Sequence, residues 1–177
     1  RTKTVEQEIA ALYPIAKHYK YAQNYNAAIM FYIELIAKYE RISDYIHELA
    51  AVHDTKYMLE YVDLDRLHLD SLEYDVFKAE ADCYRNMGDF LKAYQIYEEC
   101  LSYLDTDQLS DTVVEVLYQM SYCLYMNGKV KEAVAKLNHL KEHFEKNSIC
   151  NHWYIKVLSL LASTCDSTGD IKSQEKY

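Results

Sequence analysis

Apolar side chains recur every three or four residues along most of the chain, which is the spacing of one face of an α-helix. Leu117, Met120, Ser121 and Leu124 form one such stripe. Similar stripes precede and follow it, each about two helical turns long, with short polar turns between them. The pattern predicts a succession of amphipathic helices.

The three glycines mark a repeat. Gly88, Gly128 and Gly169 are 40 and 41 residues apart, and a small residue lies seven positions before each of them. A second small residue follows the first two glycines by five positions. Glycine permits the left-handed conformation that ends a helix, and small side chains let two helices cross closely. The spacing therefore predicts helical hairpins that cross at these small residues, which are Ala81 with Ala93, Ser121 with Ala133, and Ala162.

A further hairpin is predicted near the start of the chain without a glycine. Ala16 and Ala28 lie on either side of a turn at Gln23-Asn24. Pro14 falls inside the first stripe, where an interior proline costs about 3 kcal/mol. Either one helix ends near Tyr13 and Pro14 opens the next, or a single helix is kinked there. We favour the first, because proline is well placed in the first turn of a helix.

These hairpins resemble the tetratricopeptide repeat family. Its signature is a hydrophobic, small and aromatic first helix, a glycine turn, and a second helix with a small residue followed by an aromatic one. The segments GDFLKAYQIY at 88–97 and GKVKEA at 128–133 match it, and YNAAIMFY at 25–32 matches nearly as well. The family's tryptophan and closing proline are missing from these repeats.

The resemblance implies an all-α fold, a solenoid of about five stacked helical hairpins that forms a right-handed superhelix with a concave groove. The whole chain, 1–177, is then one domain. A period of 40 or 41 residues, against about 34 in the family, predicts longer second helices. The expected repeats span about 9–42, 43–73, 74–113, 114–154 and 155–177; the second is degenerate, with Ile46, Leu49 and Ala50 in its first stripe, and the fifth is truncated.

Composition narrows the class of protein. Only three Gly and one Pro occur in 177 residues, too few for the turns of an all-β fold. The net charge of −9 argues against nucleic-acid binding, and no apolar run is long enough to span a membrane. The five cysteines show no C-x-x-C pair, and four lie in apolar stripes, as expected of reduced core residues in a cytoplasmic protein. Because the chain opens with Arg1 and closes within a helical pattern, we expect it to be part of a longer protein.

Catalytic and metal-binding motifs have little support. His139 and His143 form an H-x-x-E-H motif, but the buried stripe of that helix is predicted to be Leu137, Leu140 and Phe144, so both histidines should point outward. No phosphate-binding loop, dinucleotide motif or triad spacing occurs. We predict no enzymatic activity, no metal and no cofactor.

The strongest candidate site is the groove that first helices line in this type of repeat. Residues displaced by one position from each packing stripe should face it. In the fourth repeat these are tyrosines that the packing stripe does not require, and in the third and first repeats they are mostly charged. The predicted ligand-binding residues are Tyr13, Lys17, Lys20, Lys78, Asp82, Arg85, Asn86, Tyr118, Tyr122 and Tyr125.

The resemblance implies a non-catalytic module that binds a protein or peptide segment in its groove. An alternative is the peptide-responsive sensory domain of a bacterial transcriptional or signalling regulator whose effector domain lies outside this sequence, since the long-period repeats and Lys-rich composition look like such domains in low-GC Gram-positive bacteria. A homodimer is also open, and a partner on the convex face is a third alternative. The aromatic row facing the charged one would suit an extended peptide with an acidic or C-terminal carboxylate group.

Overall fold

The computed structural model describes the backbone of residues 2–52, 69–106 and 108–168, and the side chains of residues 7–42, 74–106 and 108–165. All regular elements in these ranges are α-helices, which confirms the predicted all-α class. None of them is long and apolar enough to cross a membrane. The helices are α1 (Thr2–Tyr21), α2 (Tyr25–Val52), α3 (Leu69–Met87), α4 (Phe90–Ser102), α5 (Asp111–Met126), α6 (Val130–Lys146) and α7 (His152–Thr168).

The chain divides into two compact units, Arg1–Met87 and Gly88–Tyr177. In the first unit, α1 packs on α2 and α2 packs on α3. In the second unit, α4 packs on α5, α5 on α6, and α7 contacts both α5 and α6. Within each unit, every helix packs on its sequence neighbours, which is the arrangement expected of helical repeats.

The glycine turns form as predicted. Gly88 and Gly128 have φ values of +87° and +78°, which lie in the left-handed region that favours glycine. Gln23 takes the same conformation, with φ of +59°, in the predicted turn between α1 and α2. Gly169 lies outside the described residues.

The small residues are buried as predicted. Ser121, the polar member of the set, donates a hydrogen bond to the Leu117 carbonyl at 2.8 Å, so its hydroxyl is satisfied in the core. Ala162 is half-buried, and the side chain of Ala50 lies outside the described residues. The six fully buried positions, each with 0% exposure, are Ala16, Ala28, Ala81, Ala93, Ser121 and Ala133.

Four of the five cysteines belong to the core. Cys83, Cys100, Cys123 and Cys165 are buried, Cys150 is exposed, and all five are free thiols. The prediction of four reduced core cysteines is confirmed.

The preferred interpretation of Pro14 is wrong. α1 runs without interruption from Thr2 to Tyr21 and contains Pro14 in its interior. Proline removes the N–H that would bond the Ala10 carbonyl. Because Pro14 and Ala10 are both exposed, water can reach that carbonyl, and the cost of the interior proline is reduced.

Two predicted boundaries also differ from the structure. α2 continues through residues 42 and 43, where the sequence predicts the start of a second repeat, and the remainder of that repeat at 53–68 lies outside the described residues. α4 has only 13 residues, whereas α6 has 17. The second helix of the third repeat is therefore short, whereas the second helix of the fourth repeat is longer by four residues.

Candidate ligand-binding site

A hollow of about 340 Å³ lies in the first unit, bounded by α1, α2 and α3. Tyr13, Lys17 and Lys20 reach it from successive turns of α1, and Lys78 and Asp82 reach it from one face of α3. These five are predicted site residues, and the structure brings them together. The complete lining is Tyr13, Lys17, Lys20, Tyr21, Tyr32, Asp75, Lys78, Ala79 and Asp82.

The Asp82 carboxylate is the centre of a charged cluster in this hollow. Lys20 Nζ lies 2.8 Å from Asp82 Oδ2 and connects α1 to α3. Lys78 Nζ lies 3.9 Å from the same oxygen, and Arg85 Nη2 lies 3.7 Å from Asp82 Oδ1. Three cationic groups thus converge on one carboxylate. All four side chains are between 14% and 24% exposed, so water screens these pairs only in part.

Arg85 and Asn86 lie beside the hollow at the end of α3. Arg85 Nη2 donates to Asn86 Oδ1 at 3.3 Å and lies 3.7 Å from Asp82 Oδ1. Asn86 is exposed. Both predicted residues are therefore close to the charged cluster, although neither lines the cavity itself.

Two buried titratable groups lie against the cluster. Tyr32 is 1% exposed and lines the floor of the hollow, and burial raises its pKa well above the usual range, with a smaller contribution from Cys83. Burial also raises the pKa of the Cys83 thiol to about 11, while the nearby Lys20 ammonium opposes the shift. Both groups are neutral at physiological pH, so neither adds a charge to the hollow.

The lining charges give the hollow a positive balance within an acidic chain. Lys17, Lys20 and Lys78 exceed the two lining carboxylates, Asp75 and Asp82, by one charge, whereas the whole chain carries −9. Lys17 Nζ also lies 5.8 Å from the centre of the Tyr13 ring, a cation–π contact. Ammonium, guanidinium and phenol groups are hydrogen-bond donors. The arrangement is suited to an anionic group attached to an apolar or aromatic body.

The predicted tyrosine row belongs to α5 in the second unit. Tyr118 packs on Trp153 with ring centres 5.7 Å apart, and Tyr122 meets Phe90 edge to face at 6.1 Å. Tyr125 Oη donates to the Ser163 carbonyl at 3.3 Å. The expectation that packing does not require these tyrosines is therefore wrong. Each is half-buried, so part of each ring faces solvent.

Both histidines of the H-x-x-E-H motif lie outside the buried stripe of α6 as predicted, but only one of them is exposed, and both line a hollow of about 620 Å³. His139 is exposed and His143 half-buried, while Leu137, Leu140 and Phe144 form the buried stripe. Asn147 Nδ2 lies 3.3 Å from His143 Nδ1. Among the residues that the structure describes, no three His, Cys, Asp or Glu side chains are grouped to hold a metal ion.

Sequence reasoning missed four lining residues. Asp75 lies three and seven positions before Lys78 and Asp82, and Tyr21 lies four positions after Lys17, so the same helical spacing could have found both. Ala79 is a half-buried residue of α3, one position after Lys78. Tyr32 belongs to the buried stripe of α2, and no periodicity shows that it also lines a cavity.

Comparisons with known proteins agree with this architecture. Residues 115–147 match the sequence model of the tetratricopeptide repeat, and this segment coincides with the α5–α6 hairpin. The fold is similar to two crystal structures of nearly identical TPR-like repeats from a Podosopora anserina protein assigned as a kinesin light chain, one of them a form with a single substitution. Each has 12% identity and a TM-score of 0.54, covering 96% of this chain and 90% of the other. A sequence search of curated proteins gives no match.

The chain therefore has the fold of an all-α helical repeat solenoid of the tetratricopeptide type. This confirms the predicted fold class and the resemblance on which it rested. Repeats of this type are in general protein-interaction modules.

Proposed function

We propose that this chain is a non-catalytic interaction module that binds an acidic peptide segment of a protein partner in the hollow of its first unit. The observation that carries the proposal is the convergence of Lys20, Lys78 and Arg85 on the Asp82 carboxylate. A cluster that holds the Asp82 carboxylate has the geometry to hold a ligand carboxylate that displaces Asp82 or shares its partners. The 2.8 Å contact of Lys20 with Asp82 is a charge-assisted hydrogen bond, a kind that is roughly twice as strong as a neutral one.

The tyrosines of the hollow supply the contact area that charges alone lack. Tyr13 and Tyr21 lie on α1 at the edge of the hollow, and Tyr21 is 76% exposed. Tyrosine offers a large contact surface at a low cost in conformational entropy. A peptide that places a carboxylate among the cations can therefore lay neighbouring side chains on these rings.

The half-buried row of Tyr118, Tyr122 and Tyr125 is a second proposed contact surface, within the second unit. Its support is the solvent-facing part of three rings spaced along one side of α5. Because these rings also pack internally, they are held in fixed positions, and a rigid aromatic surface loses little entropy on binding.

A sensory role is the more specific form of the same proposal. A peptide-responsive domain of a cytoplasmic bacterial regulator would use the same hollow, with an effector domain encoded outside this sequence. A homodimer is compatible with it. The domain context of the full-length gene distinguishes this form from a simple interaction module.

The site is tested with a fluorescein-labelled hexaglutamate peptide and fluorescence anisotropy. Lys20→Ala and Arg85→Ala should each weaken binding roughly five-fold, since each removes one partly screened ion pair worth about 1 kcal/mol. Lys131→Ala, which removes an exposed lysine of α6, is the matched control and should bind like the parent.

Circular dichroism and thermal melts establish that the variants are folded. If Lys20→Ala and Arg85→Ala bind hexaglutamate as tightly as Lys131→Ala does, or if the parent does not bind it at all, the hollow is not the acidic-peptide site.

A further inference from the structure

The cations of the hollow already have an anionic partner of their own. Asp82 contacts Lys20, Lys78 and Arg85, and the shortest of these contacts is the 2.8 Å pair with Lys20. The Asp82 side chain is only 14% exposed, less than each of its three partners. The point at which the three cations converge is therefore occupied by a residue of the chain itself.

This occupancy has a consequence for any acidic ligand. A ligand carboxylate gains most where the three cations converge, and two carboxylates in contact repel each other unless cations lie between them. The ligand must either displace Asp82 or share its partners with it. In both cases part of the free energy of the internal ion pairs is lost when the ligand binds, and the affinity is lower by that amount.

We propose that Asp82 is a built-in competitor that lowers the affinity of the hollow for single carboxylates and selects peptide segments with several adjacent acidic residues. The proposal rests on the proposed function, because it concerns the ligand of that same hollow. A segment with consecutive carboxylates can engage two or three of the cations at once and so compensate for the lost internal pairs. A lone carboxylate cannot.

Asp75 provides an internal comparison. It lines the same hollow from the same face of α3, two helical turns before Asp82, and it is exposed. Among the described side chains, none forms an ion pair with Asp75. Removing its charge changes the net charge of the hollow as much as removing that of Asp82, but leaves the converging cations paired.

The test measures binding of labelled hexaglutamate, and of a labelled peptide of five glutamines and one glutamate, to Asp82→Asn, Asp75→Asn and Asp82→Glu. Asp82→Asn should bind hexaglutamate roughly five-fold more tightly than the parent, on the scale of one partly screened ion pair. It should improve binding of the peptide with a single glutamate by a larger factor, the label and the termini being the same in both peptides. Asp75→Asn should change either affinity by less than about two-fold, because its exposed charge is screened. Asp82→Glu, which keeps the carboxylate, should behave like the parent.

The outcomes separate this inference from the proposed function. If Lys20→Ala weakens binding but Asp82→Asn binds no more tightly than the parent, Asp82 only positions the cations. That result overturns the proposal that Asp82 competes with the ligand, and it leaves the proposed binding site unchanged. Equal gains in Asp82→Asn and Asp75→Asn would also overturn it, because net charge alone would explain them. If neither the parent nor Asp82→Asn binds hexaglutamate, both proposals fail. Should thermal melts show that Asp82→Asn is unfolded, an affinity of Asp82→Glu more than about two-fold above that of the parent overturns the proposal.

Discussion

Cys83 is fully buried in the core of the first unit, one position after Asp82. Burial favours the neutral thiol and raises its pKa from 9.0 to about 11. A group whose pKa is higher in the folded than in the unfolded state stabilises the fold below the unfolded pKa. The contribution of Cys83 is therefore complete below pH 9 and is lost as the pH rises from 9 to 11. Tyr32, whose pKa is also raised by burial, adds to the loss above pH 10.

We expect the melting temperature of the parent to fall steeply between pH 9 and 11. Cys83→Ala should reduce that fall, because the thiol that ionises on unfolding is no longer present. The variant starts from a somewhat lower melting temperature near neutral pH, so the measured quantity is the difference between two alkaline pH values within each protein. Cys150→Ala removes an exposed thiol and should keep the parental fall. If the melting temperature of Cys83→Ala falls as much as that of the parent between pH 9 and 11, ionisation of the buried thiol is not the cause of the fall.

At the scale of elements, α4 and α6 begin in nearly the same backbone geometry with different capping residues. Asp89 caps α4 with φ of −82° and ψ of 72°, and its side chain accepts a hydrogen bond from the Lys92 N–H at 3.1 Å. Lys129 caps α6 with φ of −83° and ψ of 55° and makes no side-chain capping bond. The two positions follow Gly88 and Gly128 and correspond in the repeat.

Asp89→Ala should therefore destabilise the protein by about 1 kcal/mol, the usual cost of losing an aspartate cap. Lys129→Ala should change the unfolding free energy by less than about 0.5 kcal/mol, since it removes only an exposed contact with Glu132 at 3.7 Å. Urea unfolding followed by circular dichroism measures both. Equal destabilisation by the two variants would show that the capping bond contributes nothing.

Local signals in the sequence predicted much of this architecture. The left-handed turns at Gly88 and Gly128 and the burial of Ala93 and Ala133 follow from spacing, because a helical hairpin of this kind needs both features. Helix propensity could not predict that Pro14 lies inside a continuous α1. The cost of an interior proline depends on whether water reaches the carbonyl that it leaves without a donor, here that of Ala10. The length of α2 depends on its packing against α3, which no single helical period encodes.

The candidate site was predictable to a similar degree. Displacement from the packing stripe found Lys20, Lys78 and Asp82, because residues three, four and seven apart share a helix face. The same argument cannot show that Lys20 meets Asp82, 62 positions later in the sequence, because that contact joins two helices. It also misjudged Tyr118, whose ring packs on Trp153 of another helix.

At the scale of the whole molecule, the hollow is a positive site on a negative chain. The net charge is −9, so an acidic peptide at a distance meets a repulsive field, and it is attracted only once it is close to Lys20 and its neighbours. The distance over which the repulsion acts falls from about 30 Å at ~0.01 M salt to about 8 Å at ~0.15 M. The short contacts within the hollow are screened less, because they are partly buried.

Salt should therefore raise both rate constants of hexaglutamate binding, with opposite effects on the affinity. Between about 0.01 M and 0.15 M salt, the association rate constant should rise, because the long-range repulsion is screened. The dissociation rate constant should also rise, since the contacts with the lysines and Arg85 weaken. Stopped-flow anisotropy measures both, and labelled hexalysine, for which association should slow with salt, is the control. If association of hexaglutamate slows as salt is added, the positive charge of the hollow governs the approach of the peptide, and the net charge of the chain does not.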